Sequence, residues 1–337
     1  MLEGHGDDLH NVNIELKANF SSNVYHGGCP RKLMNFLQEN LLKINNYPSP
    51  VAHELNVLAA GFYGLNENAF LFTNGATEAF YLLGHVLSGK TASIVVPTFS
   101  EYEDACLSND ISIYRIEENE LENVETDCVF ICNPNNPDGK IWSSDFLWSL
   151  VQKKPHVHFV IDEAYIEFTK HVTSFVEKTQ LCQNLTVVRS LTKTFAIPGL
   201  RLGYIISNGS FIQRLKGKKM PWSVNAMAVL AGTFIFHNYA TLRFDLSLLL
   251  DEKEKLWAAI HALDGLECRQ SSTSYFLIKL HHGKASELKE YLLINHQLLV
   301  RDATNFKGLE GEYIRVATQG SERNELLING LKSWSKN

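Results

Sequence analysis

The chain of 337 residues contains no apolar run near the roughly 20 residues that a membrane-spanning helix requires, and no excess of positive charge, with 31 Lys and Arg against 37 Asp and Glu. The first absence excludes a helical membrane protein. The second leaves no electrostatic footprint for a nucleic acid or an anionic membrane, so a small anionic substrate has to be met by local arginines. The opening Met1-Leu2-Glu3-Gly4-His5-Gly6-Asp7-Asp8 is too polar for a signal peptide, which makes the cytoplasm the expected compartment. Cysteines are few and scattered: Cys29, Cys106, Cys128, Cys132, Cys182 and Cys268. The nearest pair lies in the strand-like run Cys128-Val129-Phe130-Ile131-Cys132, where period-2 alternation points both to one face. All six are expected to be reduced core thiols, with neither metal nor disulfide implied. Internal repeats, low-complexity segments and a Pro/Gly-rich linker are also lacking. So is the G-x-G-x-x-G of a dinucleotide site in the first strand-turn-helix unit, which argues against a nicotinamide-dependent oxidoreductase.

What is present suits an α/β enzyme. The length allows one large domain and a smaller one, and 45% hydrophobic content supplies their cores. The β-branched runs 92–96, 128–132, 159–162 and 185–189 read as buried strands, each ending in polar or turn residues, with helical patterns between them. That alternation favours a mainly parallel sheet covered by helices, with active residues at the strand ends. From about Leu242 the pattern changes to a long amphipathic helix, Leu246 to Leu263. Two strand-like runs follow, Ser274 to Leu280 and Gln297 to Arg301, with a helix between them, as in a smaller α+β domain.

The most informative stretch is Arg189-Ser190-Leu191-Thr192-Lys193-Thr194-Phe195-Ala196-Ile197-Pro198-Gly199-Leu200-Arg201-Leu202-Gly203. A lysine becomes a covalent catalyst when its amine condenses with a carbonyl. Here it stands between the Ser190 and Thr192 hydroxyls and a guanidinium, Arg201, whose fork suits a phosphate dianion. A lone S-x-x-K is more often a surface lysine; the full run, with Gly199 and Gly203 flanking Arg201, closely resembles the fold type I pyridoxal phosphate (PLP) enzymes of the class I/II aminotransferase family. That resemblance implies PLP as cofactor and a homodimer with shared active sites. It also implies a large PLP-binding domain over residues 45–240, a small domain over 241–337, and an arm of residues 1–44 joining the small domain.

Further segments recur in family order. Asn74-Gly75-Ala76-Thr77-Glu78 is a small-residue turn opening a helix, where free N–H groups and the helix dipole favour phosphate. In Pro97-Thr98-Phe99-Ser100-Glu101-Tyr102 the resemblance implies an aromatic stacked on the cofactor ring, with Phe99 the candidate and Tyr102 the alternative. Asn133-Pro134-Asn135-Asn136-Pro137-Asp138-Gly139 is a turn on any reading. By resemblance it makes Asn136 the donor to the phenolic oxygen of PLP; Asp138 stands where threonine is usual. Asp162, at the end of a buried run, is costly unless paired. A protonated pyridine nitrogen would pair it and keep the ring an electron sink. Tyr165 resembles the second phenolic-oxygen donor, and Tyr47 the tyrosine that reaches a neighbouring subunit's phosphate.

Two branches of the family compete for the substrate, the L-threonine-O-3-phosphate decarboxylases and the histidinol-phosphate aminotransferases. Gly4-His5-Gly6-Asp7-Asp8, Phe20-Ser21-Ser22-Asn23 and Met220-Pro221-Trp222-Ser223-Val224-Asn225-Ala226 resemble the decarboxylase patterns G-H-G-G, F-S-A-N and M-P-W-S-V-N-A. The expected reaction is therefore conversion of L-threonine O-3-phosphate to (R)-1-aminopropan-2-yl phosphate in cobalamin biosynthesis. Transamination of histidinol phosphate is the alternative. His5, Asn23, Arg301 and Arg315 are the expected holders of the substrate's anionic ends. Which arginine grips carboxylate and which phosphate stays open, since a guanidinium serves either.

Overall fold

The computed structural model describes Leu9 and residues 12–334. Strands and helices alternate through the first two thirds of the chain: β1 (Ala18–Asn19), α1 (Arg31–Glu39), α2 (His53–Tyr63), β2 (Phe70–Asn74), α3 (Gly75–Val86), β3 (Thr91–Val95), α4 (Glu101–Leu107), β4 (Ser112–Ile116), β5 (Cys128–Cys132), α5 (Ser144–Lys153), β6 (His158–Asp162), β7 (Leu185–Ser190), β8 (Leu202–Ser207), α6 (Gly209–Lys216) and α7 (Ala226–Leu242). Then come α8 (Leu246–His261), β9 (Leu266–Cys268), β10 (Tyr275–Leu280), α9 (Ala285–His296), β11 (Leu298–Leu299), β12 (Arg301–Asp302), β13 (Glu312–Ala317) and α10 (Ser321–Trp334).

Seven strands form one sheet in the order β2-β8-β7-β6-β5-β3-β4. Its neighbours are parallel except at β8, which runs antiparallel to both β2 and β7. Every residue of β5 and β7 is buried, as expected of strands covered by helices on both faces. Alternation divides their side chains between two cores. Val129, Ile131, Phe159 and Ile161 enter one; Cys128, Phe130, Cys132, Val160 and Val188 enter the other. Cys128 and Cys132 thus share a face. All six cysteines are free thiols, but Cys29 and Cys182 are half-buried at the edge of the core rather than inside it. Asp162 and Ser190 lie two residues beyond Val160 and Val188, so they emerge on the same face at the carboxyl ends of β6 and β7, where α/β sheets form their crevices.

A second, antiparallel sheet has the order β12-β13-β10-β9. The N-terminal stretch is tied beside it: β1 pairs in parallel with β11, and the Phe20 carbonyl accepts from Ala317 N–H at 3.0 Å. Two sequence expectations need correction. The run Gln297 to Arg301 is not one strand, because Gln297 adopts a left-handed φ of 58° and the chain switches sheets at Val300, β11 pairing with β1 and β12 with β13. The helix expected to reach Leu263 ends at His261, ahead of a turn in which Gly265 has φ 79°. Ala164, Tyr165 and Phe168 from the first sheet's loops pack with Leu249, Tyr275 and Ala317 in one apolar cluster.

Candidate active site

The carboxyl ends of β5, β6 and β7 open on a cleft. It is lined by Ala76, Thr77, Phe80, Phe99, Cys132, Asn136, Asp162, Ala164, Tyr165, Ser190, Thr192, Lys193 and Arg201. The lysine loop is fixed locally: Ser190 Oγ and Thr192 Oγ1 lie 2.7 Å apart, Leu191 N–H donates to Leu202 O at 3.1 Å, and Lys193 O accepts from Tyr25 N–H at 3.0 Å. Half-buried Lys193 therefore projects from a backbone held on both sides. At the cleft's mouth, α3 begins directly after β2, so its first amides and dipole point inward. Close approach depends on glycine at two positions. A Cβ on Gly75, whose φ is 77°, would strike the Arg201 guanidinium, and one on Gly203 would stand 2.6 Å from Ala76 N. Two hydroxyls, a helix N-terminus and a guanidinium thus converge on one end of the cleft, a donor set that suits a phosphate dianion.

Asp162 marks the other end. Its Oδ1 accepts from Ala164 N–H at 2.8 Å and its Oδ2 from the Tyr102 hydroxyl at 2.6 Å. Burial pushes the carboxyl up to about 6, against the opposing pull of those two hydrogen bonds. A protonated ring nitrogen would restore the carboxylate. Tyr102, one of the two aromatic candidates, is fully buried behind the cleft, with its ring stacked on Phe130 at 5.6 Å. Phe99 lines the cleft and meets Tyr102 edge to face at 5.7 Å.

The second sheet brings one arginine, Arg315, onto Asn136 of the cleft. The pairing of β12 with β13 sets Arg301 directly opposite Arg315, and both are buried. Like charges in facing cross-strand positions repel, and an anion held between them relieves that repulsion. Arg315 donates to Asn136 Oδ1 and, at 2.6 Å, to Ser21 O. Both acceptors are neutral, and Arg315 Nε has no partner among the described residues. Burial lowers the guanidinium's pKa, the sign of a charge held without full compensation. Arg301 donates to Asn305 Oδ1 at 2.8 Å. Asn23 Nδ2 donates to Tyr165 OH at 3.5 Å, while its buried Oδ1 lacks a partner among the described residues. Burial raises the Tyr165 phenol to about 12, so it is a donor at neutral pH.

Of the residues singled out in the sequence, Ala76, Thr77, Phe99, Asn136, Asp162, Tyr165, Ser190, Lys193 and Arg201 line the cleft. Gly75 lies against Arg201, and Asn23, Arg315 and Arg301 are reached through Tyr165, Asn136 and strand register. Tyr47 is 87% exposed and touches Trp222 instead, with ring centroids 5.5 Å apart. His5 lies outside the described residues. Sequence reasoning missed the Tyr102–Asp162 bond. It also missed a buried ion cluster behind the lysine loop, in which Arg189 bonds Glu163 at 3.0 Å and also Glu167. Its signal was an arginine inside an apolar strand, facing two glutamates four residues apart.

The donors, the carboxylate and the orphaned polar atoms fit PLP carrying an anionic amino acid. Residues 16–328 match the model of the family described as aminotransferase class I and II. The threonine-phosphate decarboxylase of Salmonella typhimurium is 31% identical over 93% of this chain and 90% of its own length. A histidinol-phosphate aminotransferase of Caldanaerobacter subterraneus is 27% identical over 95% and 93%. Among solved structures, L-threonine-O-3-phosphate decarboxylase from Porphyromonas gingivalis superposes with a TM-score of 0.92 at 35% identity, covering 95% of this chain and all of that one (100%).

Proposed function

The chain belongs to the class I and II aminotransferase family, and within it we propose that the chain is a PLP-dependent decarboxylase of L-threonine O-3-phosphate, forming (R)-1-aminopropan-2-yl phosphate for cobalamin biosynthesis. The observation that carries this reading is the match to threonine-phosphate decarboxylases over nearly the whole chain, to which the structure adds two buried arginines in facing register, Arg301 and Arg315. The substrate's carboxylate and phosphate give each of these guanidiniums an anion to hold; because the glutamate of an aminotransferase also carries two anions, the choice of decarboxylation comes from the relatives.

PLP bound in the cleft supplies the electron sink for a bond broken at the substrate's Cα. Each protein group then has a task. Ser190, Arg201 and the first amides of α3, at Gly75, Ala76 and Thr77, hold the phosphate, and Thr192 keeps Ser190 oriented. Asp162 holds the proton on the pyridine nitrogen. Asn136 and Tyr165 donate to the phenolic oxygen; because Arg315 engages Asn136 Oδ1, the amide's Nδ2 is left for that purpose. Phe99 covers the ring and excludes water from one face. Asn23, Arg301 and Arg315 would hold the substrate's anionic ends and so decide which bond at Cα is presented for cleavage. Lys193 Nζ is the group that would hold the cofactor's carbonyl carbon and would carry a proton to the substrate's Cα.

Two segments with exposed apolar side chains support a homodimer. Leu42 and Tyr47 are 79% and 87% exposed, Met220 and Trp222 73% and 48%. The two are joined where Trp222 N–H donates to Pro50 O at 2.8 Å and Trp222 Nε1 to Pro48 O at 3.1 Å. In the dimer this surface is covered, and Tyr47 reaches the partner's phosphate site. The cofactor assignment is tested by incubating the protein with PLP. The wild type acquires a visible absorbance band that Lys193→Ala lacks; a wild type that stays colourless refutes it. Light scattering that gives a monomer refutes the dimer.

A further inference from the structure

Asn135 enters none of the steps above, yet its side chain is saturated. Oδ1 accepts from Thr98 Oγ1 at 2.9 Å, and Nδ2 donates both to Pro97 O and to Asp138 Oδ1, each at 2.8 Å. An amide group has two N–H donors, so neither is spare. Its main chain is equally engaged, N–H to Lys140 O at 2.7 Å and O from the Tyr275 hydroxyl at 2.8 Å. These partners come from three places. Pro97 and Thr98 lead into Phe99; Asp138 and Lys140 belong to the turn that carries Asn136; Tyr275 lies on β10 of the second sheet, its ring edge-on to Tyr165 at 5.0 Å.

The direction of the Asn135 amide is decided by two of its partners. A threonine hydroxyl donates or accepts, so Thr98 tolerates either orientation. Pro97 O only accepts, and Asp138 presents an acceptor oxygen, so together they require Nδ2 on their side. Asp138 also caps the turn by accepting from Lys140 N–H at 3.1 Å. The next residue of the turn packs closely on the second domain's loop, since a Cβ on Gly139 would strike Ser271 Oγ. A threonine at 138, usual in the family, would lack this one-way character.

We propose that Asn135 and Asp138 are a positioning pair that fixes Phe99 and Asn136 relative to one another, so that ring cover and phenolic-oxygen donor are set by one hydrogen-bonded joint. The proposal rests on the reading of the cleft as a PLP site.

Asn135→Asp keeps the side chain's shape but turns an acceptor toward Pro97 O and Asp138. Three properties are read for the wild type, Asn135→Asp and the double variant Asn135→Asp/Asp138→Asn: PLP dissociation constant by fluorescence quenching, circular dichroism of the bound cofactor's visible band, and melting of the cofactor-free protein. Asn135→Asp is expected to weaken PLP binding about tenfold or more, as leaving buried polar groups mismatched implies, and to diminish the dichroic band. The double variant, in which the amide at position 138 can donate to the carboxylate at position 135 while losing the bond from Lys140 N–H, is expected to recover only part of both. Wild-type affinity and dichroism in Asn135→Asp overturn the proposal. So does lowered melting with both cofactor signals intact, which would make the pair merely structural. If Asn135→Asp does not fold, Asp138→Ala gives the same test, with weakened binding expected and unchanged binding and dichroism overturning. A wild type that takes up no PLP removes the underlying reading, and the proposal with it.

Discussion

Replacing Tyr102 by Phe removes one oxygen atom and, with it, the 2.6 Å hydrogen bond to Asp162 Oδ2. The ring's packing on Phe130 and Phe80 remains. A hydrogen bond to a charged group contributes about 1.5–3 kcal/mol. At about 1.4 kcal/mol per pH unit, its loss raises the Asp162 carboxyl by roughly one to two pH units above the present value of about 6. In the wild type the folded carboxyl already titrates above its ordinary value of 3.8. Between these values the folded protein holds a proton that the unfolded chain has released, so the Asp162 contribution to stability falls as pH rises from about 4 to 6. It then levels off. In Tyr102→Phe the fall continues to roughly pH 7–8. Urea unfolding of cofactor-free protein at pH 5 and pH 8.5 measures the difference. The variant's deficit relative to wild type is expected to be larger at pH 8.5 by about 1.5–3 kcal/mol. Neighbouring groups such as Glu163 and Cys132 titrate in both proteins, so the comparison isolates the Tyr102 bond. A deficit equal at both pH values would refute the idea that Tyr102 keeps Asp162 ionised.

Asp162→Ala should still bind PLP through the phosphate donors but turn over roughly 10²-fold more slowly or worse, as loss of a preorganised charge at a reacting centre implies; unchanged turnover would make Asp162 structural. Arg315→Ala removes the donor to Asn136 Oδ1 and to Ser21 O together with one substrate anchor. It should lower kcat/KM by about 2–5 kcal/mol, checked by steady-state kinetics. Gly203→Ala puts a methyl 2.6 Å from Ala76 N and 3.0 Å from Arg189 O, all backbone. It should cost about 1–3 kcal/mol in urea unfolding and weaken PLP binding by shifting the start of α3; wild-type values of both would show that this approach has slack.

The parallel strands were legible because β5, β6 and β7 are apolar runs cut off by Asn133, Glu163 and the lysine loop, a purely local signal. The lysine loop was legible for the same reason, its hydroxyls and Arg201 lying within a dozen residues of Lys193. Long-range pairing was not. Nothing in Leu202–Ser207 indicates that it enters the sheet antiparallel between β2 and β7, because both directions bury the same side chains. Tyr102 stood as the alternative to Phe99; their division, one ring in the cleft and one hydroxyl on Asp162, depends on Phe99 lying ahead of α4 and Tyr102 in its first turn. The facing of Arg301 and Arg315 arises from strand register between distant segments, which periodicity within either segment does not contain.

The choice of reaction is tested most directly by a paired assay on the PLP-loaded protein. One arm follows carbon dioxide release from L-threonine O-3-phosphate; the other follows amine transfer with histidinol phosphate linked to glutamate. A threonine-phosphate decarboxylase, the reading that the relatives support, predicts carbon dioxide release with an aminopropanol phosphate as product and little amine transfer. Efficient transfer from histidinol phosphate without carbon dioxide from threonine phosphate would contradict that reading.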